Sequence, residues 1–368
     1  MVKRWLILLL LILSITTNAQ NINIKSARNT VAELEKSVLK KESPANQIKL
    51  IKAGLKSIEN AKLNRKVALN SEPYALSAFL QSYYAHLDEG DLGEQLLEKA
   101  ELALDTAIKY DKEEMNTKYI EATKFNIQQK KIKLANAAFK EKNYENSLTL
   151  FKDLSADKPT DTLFAINGAV SAIFLQRNTD AYNLMKRAAD NHARNISVYQ
   201  FLGQWYEARL EIDSSVHILE QGLKLNPGNL TLNNQYINVL LNNKRYAKAT
   251  EALKIALDFN PYIDRLQYLD GYVHHQRGNF KEATAAYLKA IRQNNYYFDA
   301  YYQLGLLKID EFKLKNDNKI LIEAEDNITR AYNLKPNDKN VINLLIEINT
   351  FYKRWNTVSE LKRRLVEL

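Results

Sequence analysis

A sequence period of about 34 residues, a length typical of repeat architectures, constrains this chain more than any other feature. Pro227 and Pro261 define this period, and further steps of the same length reach Pro159, Ala193 and Asn295. A small residue stands twelve positions before each of these five points: Ser147, Ala181, Ser215, Ala249 and Ala283. A second residue, small in four of the five cases, stands five positions before each point: Leu154, Ala188, Gly222, Ala256 and Ala290. Such self-similarity indicates that each repeat is one supersecondary unit.

The offsets within each repeat predict two helices. Side chains three and four residues apart lie on one helical face, and alanine or glycine on that face allows two helix axes to approach closely. Proline ends the second helix because it cannot donate the next hydrogen bond. One such helical pair cannot bury its apolar face alone, so neighbouring pairs must stack. The composition agrees, because only 10 glycines and 6 prolines occur in 368 residues.

The pattern resembles the tetratricopeptide (TPR) repeat. The best matches are Leu202-Gly203 with Tyr206, Ala283 with Tyr287 and Ala290, and Leu304-Gly305 with Ala324 and Ala331. The resemblance implies an all-α, right-handed solenoid of antiparallel helix pairs. The chain departs from the TPR pattern at two kinds of position. The aromatic residue expected near the start of a repeat is replaced by Ala165, Asn233 and Gln267, and Asp270 occupies a position where the pattern has leucine.

The TPR-like array is expected to cover 128–368, with about six repeats and a partial seventh that caps the end. The sixth repeat is seven residues too long, which predicts an insertion between its two helices near 309–322. Residues 20–127 keep the register poorly and are interpreted as two degenerate helical pairs. Within them, 111–127 is either a linker or the extension of a long helix.

Residues 1–19 have the pattern of a cleavable signal peptide. Lys3 and Arg4 precede an apolar run from Trp5 to Leu13, and a signal peptidase would cut after Ala19. The apolar run is about half of the ~20 residues needed to span a bilayer. Export to the periplasm, to the cell surface or to the medium is therefore expected, and a short uncleaved anchor is the alternative.

The positive charge of the chain is local. The formal net charge is +9, but residues 20–73 carry eleven Lys or Arg and five Glu, a net +6, whereas 74–368 carry 39 positive and 38 negative groups. No nucleic-acid recognition motif is present, and nucleic acid is not an expected partner. The basic segment 20–73 is interpreted either as a contact for an acidic partner or an anionic envelope surface, or as ordinary solvated helix faces.

The sequence shows no motif of a catalytic, cofactor or metal site. There is no cysteine among the 368 residues, and the five histidines form no HExxH pattern. Glu251 and Glu282 fit solvated helix faces, and His274 fits a packing position between helices. Glycosidase carboxylates are brought together only by folding, so the sequence leaves a concealed active site open. The expectation is a protein without enzymatic activity, cofactor or metal.

The TPR resemblance implies that the first helix of each repeat lines a concave channel. Carrying the family's second, fifth, ninth and twelfth positions onto this chain gives a partner-binding channel of amides followed by tyrosines: Gln200, Gln204, Asn234, Asn238, Tyr268, Tyr272, His275 and Tyr302. The leading hypothesis is an exported scaffold that binds a protein or an extended peptide there. The alternatives are a cell-envelope glycan binder that uses the tyrosines, and a channel that is an ordinary hydrated surface.

Overall fold

The computed structural model describes residues 22–88 and 90–368, which are helical and contain no strand. The chain divides into two compact units, unit 1 up to Arg187 and unit 2 from Ala188 to Leu368. The boundary falls within helix α9, Asn178–Asp190. The predicted signal peptide lies outside the described residues. Within them, no helix combines the length and the apolar character that crossing a membrane would require.

Unit 1 is built from helices α1 to α8 and the first part of α9. Their bounds are α1 22–39, α2 Pro44–Lys62, α3 Arg65–Ala68, α4 Glu72–Leu87, α5 Asp91–Tyr110, α6 Thr117–Lys140, α7 Tyr144–Asp157 and α8 Thr162–Phe174. Serine residues stand before two of these helices, Ser43 with Pro44 in the first turn and Ser71 with Pro73. The stretch 111–127 is a short connection followed by the first turns of a long helix, α6.

Unit 2 is a helical solenoid in which each helix from α10 to α19 packs against its neighbours in the chain. Their bounds are α10 Ile196–Glu207, α11 Ile212–Leu225, α12 Leu230–Asn242, α13 Tyr246–Phe259, α14 Asp264–Gln276, α15 Phe280–Gln293, α16 Phe298–Lys315, α17 Asn318–Leu334, α18 Lys339–Phe351 and α19 Trp355–Glu367. Even-numbered helices are the first, and odd-numbered helices the second, of each repeat.

The small residues of the repeat lie where helices touch. Ala249, Ala256, Ala283 and Ala290 are all fully buried. Gly271 is packed so tightly that a Cβ added to it would lie 2.6 Å from Cδ1 of Tyr287, a ring that is itself fully buried. The alanine and glycine positions of the repeat are therefore packing positions between helices, as the spacing predicts.

One backbone conformation recurs between the two helices of each repeat. A residue with positive φ stands at the same position of five successive repeats, at Lys142, Gln176, Leu210, Lys244 and Gly278. At Lys244 the turn is a complete Schellman motif, because the Lys244 amide donates to the Leu241 carbonyl and the Arg245 amide donates to the Leu240 carbonyl. Only Gly278 has the residue type that this conformation favours.

The insertion in the sixth repeat lengthens both of its helices. Helix α16 has 18 residues where α14 has 13, and α17 has 17 where α15 has 14. The connection itself stays short: Asn316 adopts φ 53° and Asp317 caps α17 through its side chain. Seven added residues are about two helical turns, so the hairpin becomes about one turn longer without a long loop.

Candidate functional site

The eight predicted channel residues lie on the first helices of four successive repeats in unit 2. Gln200 and Gln204 are on α10, Asn234 and Asn238 are on α12, three residues are on α14 and Tyr302 is on α16. Two of these helices are joined directly, since Nε2 of Gln235 on α12 donates to the Gln200 carbonyl of α10 at 3.2 Å. The helices α14 and α16 are likewise joined by a contact between His275 and Asp310.

The four predicted channel amides keep their hydrogen-bonding capacity. Among the described residues, the side chains of Gln200, Gln204, Asn234 and Asn238 form no hydrogen bond, and Oδ1 of Asn234 is buried without a partner. Leaving a buried acceptor unsatisfied costs about 1–3 kcal/mol. These amides therefore contribute little to holding the repeats together, and a donor that reached Asn234 would relieve an existing penalty.

Amides at a neighbouring position of the same repeats donate to the backbone, although Oε1 of Gln267 is buried without a partner among the described residues. Asn233 donates to the Pro227 carbonyl at 2.8 Å and to the Asn229 carbonyl at 3.0 Å. Gln267, one repeat later, donates to the Pro261 carbonyl at 3.2 Å. Both are buried. These residues, which replace the expected aromatic side chain, have the structural task of satisfying the carbonyl of the proline that ends the preceding repeat.

A carboxylate at a predicted channel position was missed by the sequence reasoning. Glu207 occupies the twelfth position of its repeat on α10, so the signal was present in the spacing that selected the other residues. Burial raises the pKa of Glu207, although a hydrogen bond from Gln235 opposes this change. The amide row thus ends beside an acidic group that accepts protons more readily than a carboxylate in water.

Two of the three tyrosines at predicted channel positions have aromatic neighbours. The ring of Tyr268 lies 5.3 Å from that of Tyr297 and 6.0 Å from that of Tyr287. Tyr302 stacks on Phe298 at 5.9 Å with an interplanar angle of 7°. Burial raises the pKa of Tyr268, Tyr272 and Tyr302. These tyrosines are therefore neutral at physiological pH, and Tyr268 and Tyr302 have aromatic neighbours within the protein.

His275 is the last of the three predicted channel residues on α14. Its Nε2 lies 3.3 Å from Oδ2 of Asp310, and its Nδ1 is buried without a hydrogen-bond partner among the described residues. Burial lowers the pKa of His275, and the hydrogen bond to Asp310 opposes this effect only in part. The neutral ring thus retains an unused polar atom.

The neighbouring histidine has a structural environment. Nε2 of His274 lies 3.6 Å from Asp270, and Nδ1 lies 3.3 Å from Nδ2 of Asn279 in the following turn. Burial raises the pKa of Asp270. In the described part of the chain, no group of three His, Asp or Glu side chains is arranged to hold a metal ion.

The basic segment of unit 1 is partly neutralised by carboxylates. Arg28 forms a two-pronged ion pair with Glu72, and Lys62 pairs with Glu59 at 3.0 Å. The remaining lysines of this segment are mostly exposed, among them Lys40 and Lys56. A net positive surface therefore remains on the first two helices of unit 1.

Comparisons with known proteins give one family and a set of distant structural likenesses. A family model described as the TPR repeat matches residues 271–308, which contain part of α14 and all of α15. No curated protein matches the sequence.

Among solved structures, a crystal structure of MamA is 17% identical and covers 45% of this chain and 93% of its own, with a TM-score of 0.41. YrrB, described as a TPR protein with an unusual peptide-binding site, is 17% identical over 53% of this chain and 96% of its own, with a TM-score of 0.43. MamA from Desulfovibrio magneticus RS-1 is 18% identical over 48% and 96%, with a TM-score of 0.40. Likeness at this level carries no information about function.

Proposed function

We propose that this chain, which is built on tetratricopeptide repeats, is an exported scaffold without enzymatic activity that binds an extended segment of another protein in the channel of unit 2. The coarser part of this statement, a repeat fold of the protein-interaction class, rests on the family match at 271–308 and on the helical pairs. The finer part, the channel and its ligand, rests on the side chains of α10, α12, α14 and α16.

One observation carries the proposal, namely the contrast between two sets of amides. Asn233 and Gln267 each donate their amide NH2 group to a backbone carbonyl of the fold, whereas the side chains listed next make no hydrogen bond with a described residue: Gln200, Gln204, Asn234 and Asn238. Side-chain amides both donate and accept, which is what the backbone of an extended peptide requires from a binding surface. A row of uncommitted amides on consecutive helices is suited to such a backbone.

The packing of the tyrosines favours a peptide over a glycan. Sugar recognition by aromatic rings uses open ring faces, but Tyr302 is stacked on Phe298 and Tyr268 lies against Tyr297. Their hydroxyl groups form no hydrogen bond among the described residues and remain available as donors. Tyr268 and Tyr302 are therefore better placed to contact a ligand through ring edges and hydroxyl groups than to stack a ring face on a sugar.

The test is selection of peptides from a displayed random library on the full-length chain, followed by affinity measurements on a selected peptide. The double variant Asn234→Ala, Asn238→Ala is expected to weaken binding at least about tenfold, equivalent to about 1.4 kcal/mol. The matched control is Asn327→Ala on α17, whose amide bonds only to the Glu323 carbonyl of its own helix.

Equal binding by the double variant and by the control would remove the channel from the proposal. Retention on cell-wall polysaccharide that is lost in the double variant Tyr268→Ala, Tyr272→Ala would instead support the glycan alternative. Export is tested separately by fractionating cells that express the chain, and recovery in the cytoplasm with residues 1–19 intact would contradict it.

We further propose that the exposed lysines of 20–73 make a peripheral contact with an anionic envelope surface. Binding to anionic vesicles is expected to weaken as salt is added, because screening acts on exposed charges over about 10 Å at 0.1 M. Binding that does not change with salt would argue against this contact.

A further inference from the structure

One charged residue stands on two neighbouring channel helices. Helix α10 has 12 residues and α12 has 13, and Glu207 is the one acidic or basic residue among them. In the whole chain 26% of the residues are charged, so these two helices are poor in charge. The carboxylate of Glu207 therefore has no opposite charge on the two helices that carry this part of the predicted channel.

A neutral side chain of α12 holds Glu207 in place. Gln235 forms a hydrogen bond with the Glu207 side chain, and Nε2 of Gln235 also donates to the Gln200 carbonyl at 3.2 Å. A Cβ added to Gly203 would lie 2.8 Å from the same nitrogen, so the Gln235 amide is packed against the backbone of α10. The carboxylate is thus positioned at the junction of α10 and α12 without being neutralised there.

Hydrogen-bond acceptors outnumber donors at this junction. The amide nitrogen of Gln235 serves Glu207 and the Gln200 carbonyl, whereas its Oε1 is buried without a partner among the described residues. Oδ1 of Asn234, on the same turn of α12, is likewise buried without a partner. The two oxygens of a carboxylate offer about four acceptor sites, so one bond from Gln235 leaves Glu207 with acceptor capacity. The group that this junction lacks is a donor.

No cation of the described chain supplies that donor. Glu207 is half-buried and forms no ion pair with a described residue. Burial raises its pKa, the bond from Gln235 opposes this change, and no charged side chain contributes. The nearest cation along the chain, Arg209, stacks its guanidinium 3.4 Å from the ring centroid of Trp205. Because a partly buried charge without a partner is costly, a cation that reached Glu207 would remove an existing penalty.

We propose that Glu207 binds the ammonium or guanidinium group of a lysine or arginine in the segment that occupies the channel. Both cations carry several N–H donors, and charge-assisted hydrogen bonds to carboxylates are shorter and stronger than neutral ones. The channel amides suit the backbone of any extended segment, whereas Glu207 selects one side chain. This inference rests on the proposed function, because it names the chemistry of the segment that the channel binds.

The first test uses the peptides that the full-length chain selects from a displayed random library. The selected sequences are expected to share one lysine or arginine at a fixed position. Replacing that residue with norleucine, which keeps an apolar stem and removes the charge, is expected to weaken binding at least about tenfold. Equal binding of the basic peptide and its norleucine version would overturn the role of Glu207 and leave the channel as the peptide site.

Two glutamate variants assign the charge effect to one residue. Glu207→Gln keeps an oxygen that can accept the bond from Gln235, and it is expected to weaken binding of the basic peptide at least about tenfold. Binding of the norleucine peptide is expected to stay unchanged. The matched control is Glu282→Gln on α15, an exposed glutamate, which should change neither. An equal loss for both peptides in Glu207→Gln would mean that the substitution distorts the channel, and it would overturn charge recognition.

A second measurement does not require an extended ligand. N-acetyl-lysine amide is added to the full-length chain with isotope-labelled glutamate side chains, and the carboxyl resonance that disappears in Glu207→Gln is followed by NMR. A saturable shift with the lysine amide, and none with N-acetyl-norleucine amide, is expected. If no library peptide binds but this shift occurs, the proposed function fails and the cation site stands. If peptides bind and the Glu207 resonance responds to neither the lysine amide nor a basic peptide, the cation site is wrong and the proposed function stands.

Discussion

Replacing Gly271 with alanine is the sharpest test of the helix packing. A Cβ at this position would lie 2.6, 2.7 and 2.9 Å from three ring atoms of Tyr287, where ordinary contact begins at 3.4 Å. Tyr287 is fully buried, so its ring has no open space into which it can retreat. Because all three distances lie below 3.0 Å, we expect an overpacking cost in the upper part of the usual range, about 2–3 kcal/mol, and alanine recovers about 1 kcal/mol of helix propensity. The expected net loss of stability is about 1–2 kcal/mol.

The same substitution at Gly168 of unit 1 is the internal control. There an added Cβ meets Cδ1 of Leu184 at 3.1 Å and Cβ of Phe151 at 3.2 Å, and the first of these is the flexible end of a side chain. A small shift accommodates the methyl group, so Gly168→Ala is expected to be neutral or to stabilise by up to about 1 kcal/mol.

The measurement is urea unfolding of each variant together with amide hydrogen exchange. Repeat proteins open locally, so a single unfolding midpoint averages over several helices. Gly271→Ala is expected to speed exchange selectively in α14 and α15. A variant as stable as the unsubstituted chain, or a larger loss at Gly168, would refute the packing argument.

Four further outcomes are expected. Leu210→Gly removes a side chain from a positive-φ turn (φ 60°) and should stabilise by up to about 1 kcal/mol in urea unfolding; a loss would contradict the strain. Ala283→Leu overpacks a fully buried helix contact and should cost about 1–3 kcal/mol, so an unchanged melting temperature would show the repeat register to be wrong. Asp270→Leu replaces a half-buried carboxylate whose pKa is raised by burial, and should increase the stability by about 1 kcal/mol or more and so raise the melting temperature; a lower melting temperature would mean that the contact of Asp270 with His274 is needed. Burial lowers the pKa of His275, so the unfolded chain takes up a proton first as pH falls below 6.5; stability should decline there and level off once the folded chain is protonated, and His275→Gln should remove this part of the pH dependence.

The sequence predicted the helical pairs because a short-range pattern determines them. The spacing of Ala249 and Ala256, and of Ala283 and Ala290, is a local property of one helix, and all four residues are buried as expected. The positive φ at Leu210 and Lys244 was not foreseen. Neither leucine nor lysine is a residue type that favours positive φ. The conformation is imposed by the Schellman hydrogen bonds that end the preceding helix.

A cavity of about 460 Å³, lined by residues of α11, α12 and α13, also escaped the sequence analysis. Glu220, Tyr236 and Lys248 belong to three helices, and no spacing rule links them. Glu251 fitted an ordinary solvated face because its neighbours on α13 carry no sign of a pocket.

The turn that recurs once in every repeat gives this protein a built-in set of reporter positions. Leu210 is 85% exposed, and Lys244 and Gly278 occupy the same place in the next two repeats, also exposed to solvent. A pair of spectroscopic labels at two of these turns would mark equivalent points of successive repeats without replacing any predicted channel residue. The distance between the labels would then report, repeat by repeat, whether a ligand tightens the solenoid or leaves it unchanged.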